Sequence, residues 1–130
     1  MIIVNGYERR YYINRQLIWN RGLPLRIEKH PILKDFKKGK LVEFEFDGRK
    51  ITGYDGEPIA AALKAAGVMI HRYTIKKREP RGIFCAIGRC TDCVMVVDGT
   101  PNVRTCITQL RPNMKVWTQD GIVPKMDRHE

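Results

Sequence analysis

Residues 85–106 read CAIGRCTDCVMVVDGTPNVRTC, and this stretch contains all four cysteines of the 130-residue chain. From Cys85 through Cys90 and Cys93 to Cys106 the spacing is C-x4-C-x2-C-x12-C. Four cysteines scattered at random over the chain would seldom all fall in so short a segment. Because cysteine thiolates are metal ligands, the stretch predicts a metal centre that organises its own loop.

The spacing favours a two-iron, two-sulfide (2Fe–2S) cluster over the other uses of four cysteines. The first three cysteines match the C-x4-C-x2-C loop of plant-type 2Fe–2S proteins. The fourth thiolate has to come from a neighbouring element, and Cys106, beyond the Asp98-Gly99 turn signal, meets that requirement. Structural zinc sites usually use two C-x2-C pairs, and only Cys90 and Cys93 form one here. Disulfides are the weakest alternative, because the sequence shows no export signal.

The residues between and beside the cysteines fit an anionic cluster. Gly82 and Gly88 let the backbone bend so that N–H groups point at sulfur. Two hydroxyl groups and two positive charges are expected near the sulfurs: Thr91, Thr105, Arg81 and Arg89. Three apolar side chains are expected to shield the cluster from water: Ile83, Phe84 and Ile87. We therefore predict that Gly88 and Arg89 join the four cysteines as cofactor-binding residues.

The domain that carries the cysteines is predicted to begin with a β-hairpin. Apolar Val42, Phe44 and Phe46 alternate with acidic residues, which indicates a strand with one buried face. Asp47-Gly48 is a typical tight-turn sequence, so residues 49–54 are expected to return as a second strand.

A helix is predicted over Pro58–Ala66, with Ile59 and Leu63 on its buried face and Gly67 at its end. Short strands are predicted at residues 68–75, 94–97, 102–104 and 115–118. A hairpin, a helix and then short strands are typical of an α+β domain of the β-grasp type, a mixed sheet crossed by one helix. We place this domain at residues 41–123.

Residues 1–40 are predicted to be a basic extension. They carry ten Lys/Arg against three acidic residues, which gives them seven of the ten net positive charges of the chain. Asn5-Gly6 predicts a small hairpin, and residues 20–40 are expected to form an irregular linker. The extension also holds Tyr7, Tyr11, Tyr12 and Trp19. Aromatic residues among arginines are typical of interface anchors, so we expect docking on a partner subunit, with folding back on the domain as the alternative.

Several function classes lack sequence support. There is no G-x-G-x-x-G or G-x-x-x-x-G-K motif, no recognisable nucleophile–base pair and no nucleic-acid-binding motif. No apolar run is long enough to span a membrane, so we expect a cytoplasmic protein, and peripheral association with a membrane complex stays compatible with the sequence. Residues 124–130 are expected to be a loose tail. His30, His71 and His129 are scattered and are interpreted as ordinary polar residues.

Five segments together resemble one particular family: RIEKHPIL at 26–33, FDGR at 46–49, GEPIAAAL at 56–63, PRGIFCAIGRCTDC at 80–93 and PNVRTC at 101–106. They resemble the small 2Fe–2S subunit of multi-subunit, dye-linked amino-acid dehydrogenases. This group includes proline or hydroxyproline dehydrogenase, opine oxidase and hydrogen cyanide synthase. The segments are also similar to the N-terminal ferredoxin-like part of the large subunit of heterotetrameric sarcosine oxidase. The short x12 gap is more specific to this family than the C-x4-C-x2-C loop.

The resemblance implies a β-grasp ferredoxin-like fold in which Cys85 and Cys90 hold one iron and Cys93 and Cys106 hold the other. It also implies flavoprotein dehydrogenase subunits as partners, with FAD or FMN only in those subunits, and oxidation of a secondary amine such as proline. The chain itself would be a non-catalytic electron-transfer component that binds no substrate alone and no nucleic acid. The alternative function is a free, soluble 2Fe–2S ferredoxin with exchangeable partners.

Two features depart from the family pattern. Ala86 and Thr91 stand where related loops often have glycine. Residues 1–25 match no pattern that we can name.

Overall fold

A computed structural model describes residues 26–27, 29–34, 37–121 and 123–124, the last two as backbone only. Three predicted features lie outside the described residues: the hairpin at Asn5-Gly6, the aromatic side chains of residues 7–19 and the tail from residue 125 onward. Where the linker is described, between residues 26 and 40, it contains a turn at residues 31–33 and no helix or strand.

The described strands form a five-stranded mixed sheet in the order β2-β1-β7-β5-β6. Its strands are β1 (Leu41–Phe46), β2 (Arg49–Tyr54), β5 (Val94–Val97), β6 (Thr100–Arg104) and β7 (Lys115–Trp117). β1 runs parallel to β7 and antiparallel to β2, while β5 runs antiparallel to both β6 and β7. The predicted α+β fold class, a small mixed sheet with one helix, is confirmed among these residues.

The two Asp-Gly turns make the hairpins that the sequence predicts. Asp47 and Gly48 have φ angles of 47° and 80°, and Asp98 and Gly99 have φ angles of 47° and 82°. Positive φ at both central residues is the geometry that lets a two-residue loop follow the right-handed twist of its strands. The first turn joins β1 to β2, and the second joins β5 to β6, which brings the ends of β5 and β6 side by side.

A second, smaller sheet lies beside the first in the order β4-β3-β8-β9. It consists of two-residue strands: β3 (Arg72–Tyr73), β4 (Pro80–Arg81), β8 (Gln119–Asp120) and β9 (Val123–Pro124). The strand expected over residues 68–75 is therefore shorter than predicted. β4 leads directly into the cysteine loop, so this sheet sets where the loop begins.

The helix of the described region is α1, Ile59–Ala65. Pro58 is its N-cap residue and forms no side-chain cap bond, so proline precedes the first turn instead of standing in it. Gly67 ends the helix as predicted: its φ is 86°, and the N–H of Val68 donates to the carbonyl oxygen of Leu63 at 2.8 Å.

The core lies between α1 and the five-stranded sheet. Its buried side chains come from the helix, from β1, β5 and β7, and from the loop after Cys106: Phe44, Phe46, Ile59, Ala62, Leu63, Met95, Val97, Leu110 and Val116. Ala60, on the same helix, packs instead against Cys93 and Cys106, with half-buried Ile83 beside them. The helix therefore joins the main core to the cysteine region.

The linker is fastened to the domain at its described end. Arg26 donates two hydrogen bonds to Glu57, at 2.7 and 2.6 Å, and its guanidinium lies 4.7 Å from the centroid of the Tyr54 ring. Lys38 approaches the same ring at 5.6 Å. A paired, half-buried arginine at this point gives the preceding residues a fixed point of attachment.

Replacing Leu63 by alanine should destabilise the domain by about 2–4 kcal/mol, because the side chain is fully buried and its removal leaves a cavity. The measurement is the free energy of unfolding by chemical denaturation. Leu41→Ala is the control, since Leu41 is 66% exposed at the start of β1. Equal stabilities for the two variants would contradict the packing described here.

Candidate metal centre

The four cysteines are positioned by the ends of three strands. Cys85 and Cys90 lie in the loop between β4 and β5, Cys93 immediately precedes β5, and Cys106 lies two residues beyond β6. Because Val94 pairs with Arg104, the antiparallel hairpin brings Cys93 and Cys106 together. Cys93 and Cys106 are buried, whereas Cys85 and Cys90 are partly exposed.

Four consecutive backbone N–H groups point at cysteine sulfurs. The Sγ atom of Cys85 accepts hydrogen bonds from the N–H groups of Ile87 at 3.5 Å, Arg89 at 3.4 Å and Cys90 at 3.4 Å. The N–H of Gly88 donates to Cys106. Successive N–H groups of this kind form a concave anion-binding surface, here lined by the donors of residues 87–90.

The donors change the acidity of the thiols in opposite ways. Backbone hydrogen bonds, from Cys90 first and then from Ile87 and Arg89, lower the pKa of Cys85 to about 6. Burial raises the pKa of Cys106, and its neighbour Cys93 raises it further, while the N–H of Gly88 lowers it. In the absence of metal, Cys85 is therefore favoured as a thiolate and Cys106 as a neutral thiol.

The sulfurs lie in two pairs, and none of the four forms a disulfide. The thiol of Cys90 donates to Cys85, and the thiol of Cys106 donates to Cys93. The resemblance to the 2Fe–2S subunits implies the same two pairs, one for each iron. Within the described residues, no group of three or more His, Cys, Asp or Glu side chains converges around a single metal ion.

The cysteine loop needs unusual backbone angles. Gly88 has a φ of 76° and Ala86 a φ of 58°, so two loop residues are left-handed. A Cβ atom at Gly88 would lie 2.8 Å from Cδ1 of Ile107, which packs over the loop. Glycine at position 88 is required for both reasons, whereas Ala86 accepts the left-handed geometry at a cost of about 1 kcal/mol.

Two arginines that the sequence analysis did not select hold the outer side of the loop. Arg104 donates from Nε to the carbonyl oxygen of Cys90 at 2.9 Å. Arg72, on β3, donates from Nε to the carbonyl oxygen of Thr91 at 2.9 Å and pairs with Asp92 at 3.2 Å. The loop thus turns N–H groups towards sulfur and carbonyl groups towards arginine.

A buried histidine supports the inner side. Nδ1 of His71 lies 3.1 Å from the hydroxyl oxygen of Thr105, and that hydroxyl donates to the carbonyl oxygen of Cys93 at 2.7 Å. Because the Thr105 hydrogen is used by Cys93, Nδ1 of His71 acts as the donor to Thr105. Burial lowers the pKa of His71 to about 4, despite a hydrogen bond to the Cys93 backbone. The interpretation of His71 as an ordinary polar residue is therefore wrong.

Several expected contacts differ in the structure. Thr105 donates to a carbonyl oxygen instead of a sulfur. Gly82 is required because a Cβ there would lie 2.3 Å from the carbonyl oxygen of Met69, not because its N–H reaches sulfur. Arg81 pairs with Glu79 at 2.7 Å. Phe84 and Ile87 are 81% and 69% exposed, so Ile83 alone of the three predicted shielding residues packs against the cysteines.

The donor set fits a 2Fe–2S cluster. Such a cluster requires two thiolates on each iron, and hydrogen bonds to sulfur stabilise its negative charge. The paired sulfurs and the N–H groups of residues 87–90 supply both features.

Sequence comparisons identify a family and several relatives. The 2Fe-2S iron-sulfur cluster binding domain family matches residues 39–121. The hydrogen cyanide synthase subunit HcnA of Pseudomonas aeruginosa is 30% identical over 83 residues, which are 63% of this chain and 78% of HcnA. Sarcosine oxidase subunit alpha of Rhizobium meliloti is 32% identical over 84 residues, which are 61% of this chain and 8% of that subunit.

A solved structure shares the fold. The crystal structure of L-proline dehydrogenase from P. horikoshii matches with a TM-score of 0.56 and 26% identity, over 66% of this chain and 16% of that chain. The matched region is thus a small part of both the sarcosine oxidase subunit and the proline dehydrogenase chain. These relatives are the ones that the sequence resemblance predicts.

Replacing Gly88 by alanine should make the cluster markedly more labile, because the new Cβ meets Ile107 and the left-handed backbone is strained. The measurement is the rate of absorbance loss under a chelator. Gly99→Ala is the matched control: its φ of 82° imposes the same strain, but no atom lies within 4 Å of the added Cβ. If both variants lose the cluster at the same rate, the close contact at Gly88 is irrelevant.

In the metal-free chain, alkylation by iodoacetamide should modify Cys85, with a midpoint near pH 6, before it modifies Cys106. The sign follows from the lowered pKa of Cys85: the stabilisation by the thiolate is fully present above the ordinary pKa of 9.0, and it is lost as the pH falls from there through about 6. Pulsed alkylation with mass spectrometry measures the order. Modification of Cys106 before Cys85 at pH 7 would show that the N–H groups do not act on Cys85.

Proposed function

Because the chain belongs to the family of 2Fe–2S iron–sulfur cluster binding domains, we propose that it is the electron-transfer subunit of a flavin-dependent amine dehydrogenase complex. Cys85 and Cys90 hold one iron, and Cys93 and Cys106 hold the other. The observation that carries this proposal is the set of four N–H groups of residues 87–90 that point at the paired sulfurs.

When bound, such a cluster takes up and releases one electron at a time, so a reduced flavin in a partner has to deliver its two electrons in two steps. The residues of this chain hold and stabilise the centre. The N–H groups of residues 87–90 stabilise negative charge on sulfur, and Arg72 and Arg104 keep the loop in the shape that presents them. The chain performs no chemistry on the amine substrate in this proposal.

Two relatives are described as subunits, which supports the proposal that this chain works with a partner subunit. HcnA is a hydrogen cyanide synthase subunit, and the second relative is a sarcosine oxidase subunit. The similarity to part of an L-proline dehydrogenase supports a secondary amine such as proline as the substrate of the complex. We propose that FAD or FMN, and the site of amine oxidation, belong to the partner.

No helix in the described part of the chain is long and apolar enough to cross a membrane.

The purified protein should be brown and should contain iron and acid-labile sulfide in equal amounts, with absorption bands that bleach on addition of dithionite. Metal analysis and visible spectroscopy make the measurement. Stoichiometric zinc without labile sulfide would overturn the proposal. Serine variants at Cys85, Cys90, Cys93 and Cys106 are the control for the ligand set, since each should disrupt the cluster or shift its spectrum.

We also propose that the basic extension at residues 1–40 docks on the flavin-bearing subunit. Deleting residues 1–25 should leave the cluster spectrum and melting temperature unchanged, because Arg26 and the domain remain, and should weaken binding to that subunit. Titration calorimetry and thermal melting distinguish the two effects. A truncated protein that loses stability but binds its partner normally would show that the extension folds back on the domain.

Co-purification distinguishes the two hypotheses, a subunit of a fixed complex and a free ferredoxin. A tagged chain that retains a flavoprotein through size exclusion supports the complex. A chain that elutes alone and reduces unrelated acceptors supports the alternative, a soluble ferredoxin with exchangeable partners.

A further inference from the structure

Three large apolar side chains beside the cysteine loop face solvent. Phe84 is 81% exposed, Ile87 is 69% exposed and Ile107 is 57% exposed. Removal of apolar surface from water is favourable, so a group of this kind favours burial against another surface. We call Phe84, Ile87, Ile107 and the exposed Arg89 the loop patch.

The members of the loop patch surround one edge of the metal centre. Phe84 and Ile87 flank Cys85 in the chain, and Ile107 packs over Gly88 from the strand end that carries Cys106. Cys85 and Cys90, between them, are the two cysteines that are partly exposed. The patch therefore lies beside the sulfurs that a partner can approach most closely.

The ionisable side chains of the two segments around the loop patch, apart from the cysteines, are all positively charged. Residues 80–91 contain two arginines and no acidic residue, and residues 104–111 also contain two arginines and no acidic residue. Two of these arginines already have described partners, because Arg81 pairs with Glu79 and Arg104 binds the Cys90 carbonyl. Arg89 is exposed, and its backbone N–H, not its side chain, bonds to Cys85. Its guanidinium is available to a carboxylate of another molecule.

We propose that the loop patch is the surface through which this chain docks on its redox partner, a protein that presents apolar side chains rimmed by Asp or Glu. The proposal rests on the proposed function, because it assumes an electron donor or acceptor that approaches Cys85. An exposed aromatic residue next to an arginine is the usual composition of a protein–protein hot spot. Lipid headgroups are instead bound by clusters of about four to eight Lys/Arg, and the patch offers one such side chain.

The test measures the dissociation constant between the cluster-loaded full chain and the flavin-bearing subunit that co-purifies with it. Phe84→Ser and Arg89→Glu should each weaken binding about tenfold or more, and the effect of Arg89→Glu should shrink at high salt. The visible spectrum of Phe84→Ser should match that of the parent, because this side chain is 81% exposed. The spectrum of Arg89→Glu is recorded to verify that the cluster is fully loaded before its binding is compared. The rate at which the reduced flavin subunit reduces the chain should fall in parallel.

Leu41→Ser and Lys50→Glu are the matched controls. Leu41, on β1, is 66% exposed, and Lys50, on the edge strand β2, is also exposed. Both residues lie in the half of the five-stranded sheet that is farther from β6. Their dissociation constants should stay within about twofold of the parent value, as is usual for residues outside a hot spot.

Three other results would refute either the proposed function or the docking surface. A parent chain that neither binds the flavin subunit nor accepts its electrons refutes the proposed function. A parent that binds, together with loop-patch variants that bind equally well, refutes the docking surface and leaves the proposed function standing. Vesicles of phosphatidylserine and phosphatidylcholine that sediment the parent but not Phe84→Ser would assign the patch to a membrane and overturn the proposal.

Discussion

The peptide N–H groups of residues 87–90 impose the constraint on which the rest of the structure depends. They must all point at sulfur, three at Cys85 and one at Cys106. An extended strand cannot turn so many consecutive donors to one side, because its N–H groups point alternately to its two edges. The left-handed backbone at Ala86 and Gly88 makes the turn, and the carbonyl groups that it displaces need partners elsewhere.

Those partners explain why the small sheet and the hairpin surround the loop. Arg72 comes from β3 and Arg104 from β6, and they bind the carbonyl oxygens of Thr91 and Cys90 from two directions. His71, one residue before Arg72, supports the Cys93 carbonyl through Thr105. Charged donors make stronger hydrogen bonds than neutral ones, so two arginines fix a loop that has little apolar burial of its own.

Local sequence signals predicted the features that depend on neighbours in the chain. The two Asp-Gly turns, the end of the helix at Gly67 and the hairpin that carries Cys106 to Cys93 follow from such signals. Contacts that depend on tertiary pairing could not be predicted in this way. Arg72 lies 19 residues before Thr91, and nothing in its surroundings in the chain marks it as a loop support. The sequence also does not tell an apolar side chain that shields the centre, such as Ile83, from one that faces solvent, such as Phe84.

The exposure of Phe84 and Ile87 affects how much water surrounds the metal centre. The loop that turns its N–H groups towards sulfur leaves Phe84 and Ile87 exposed to solvent. Water therefore reaches the Cys85 edge in the isolated chain, and a docked partner would remove it. In the proposed 2Fe–2S cluster, loss of that water would disfavour the reduced form, which carries more negative charge. The hydrogen bonds from the N–H groups to sulfur would favour the reduced form. Two opposing effects would thus act on the electron affinity of the cluster. The backbone hydrogen bonds raise it, and the exclusion of water by a partner docked on the loop patch lowers it.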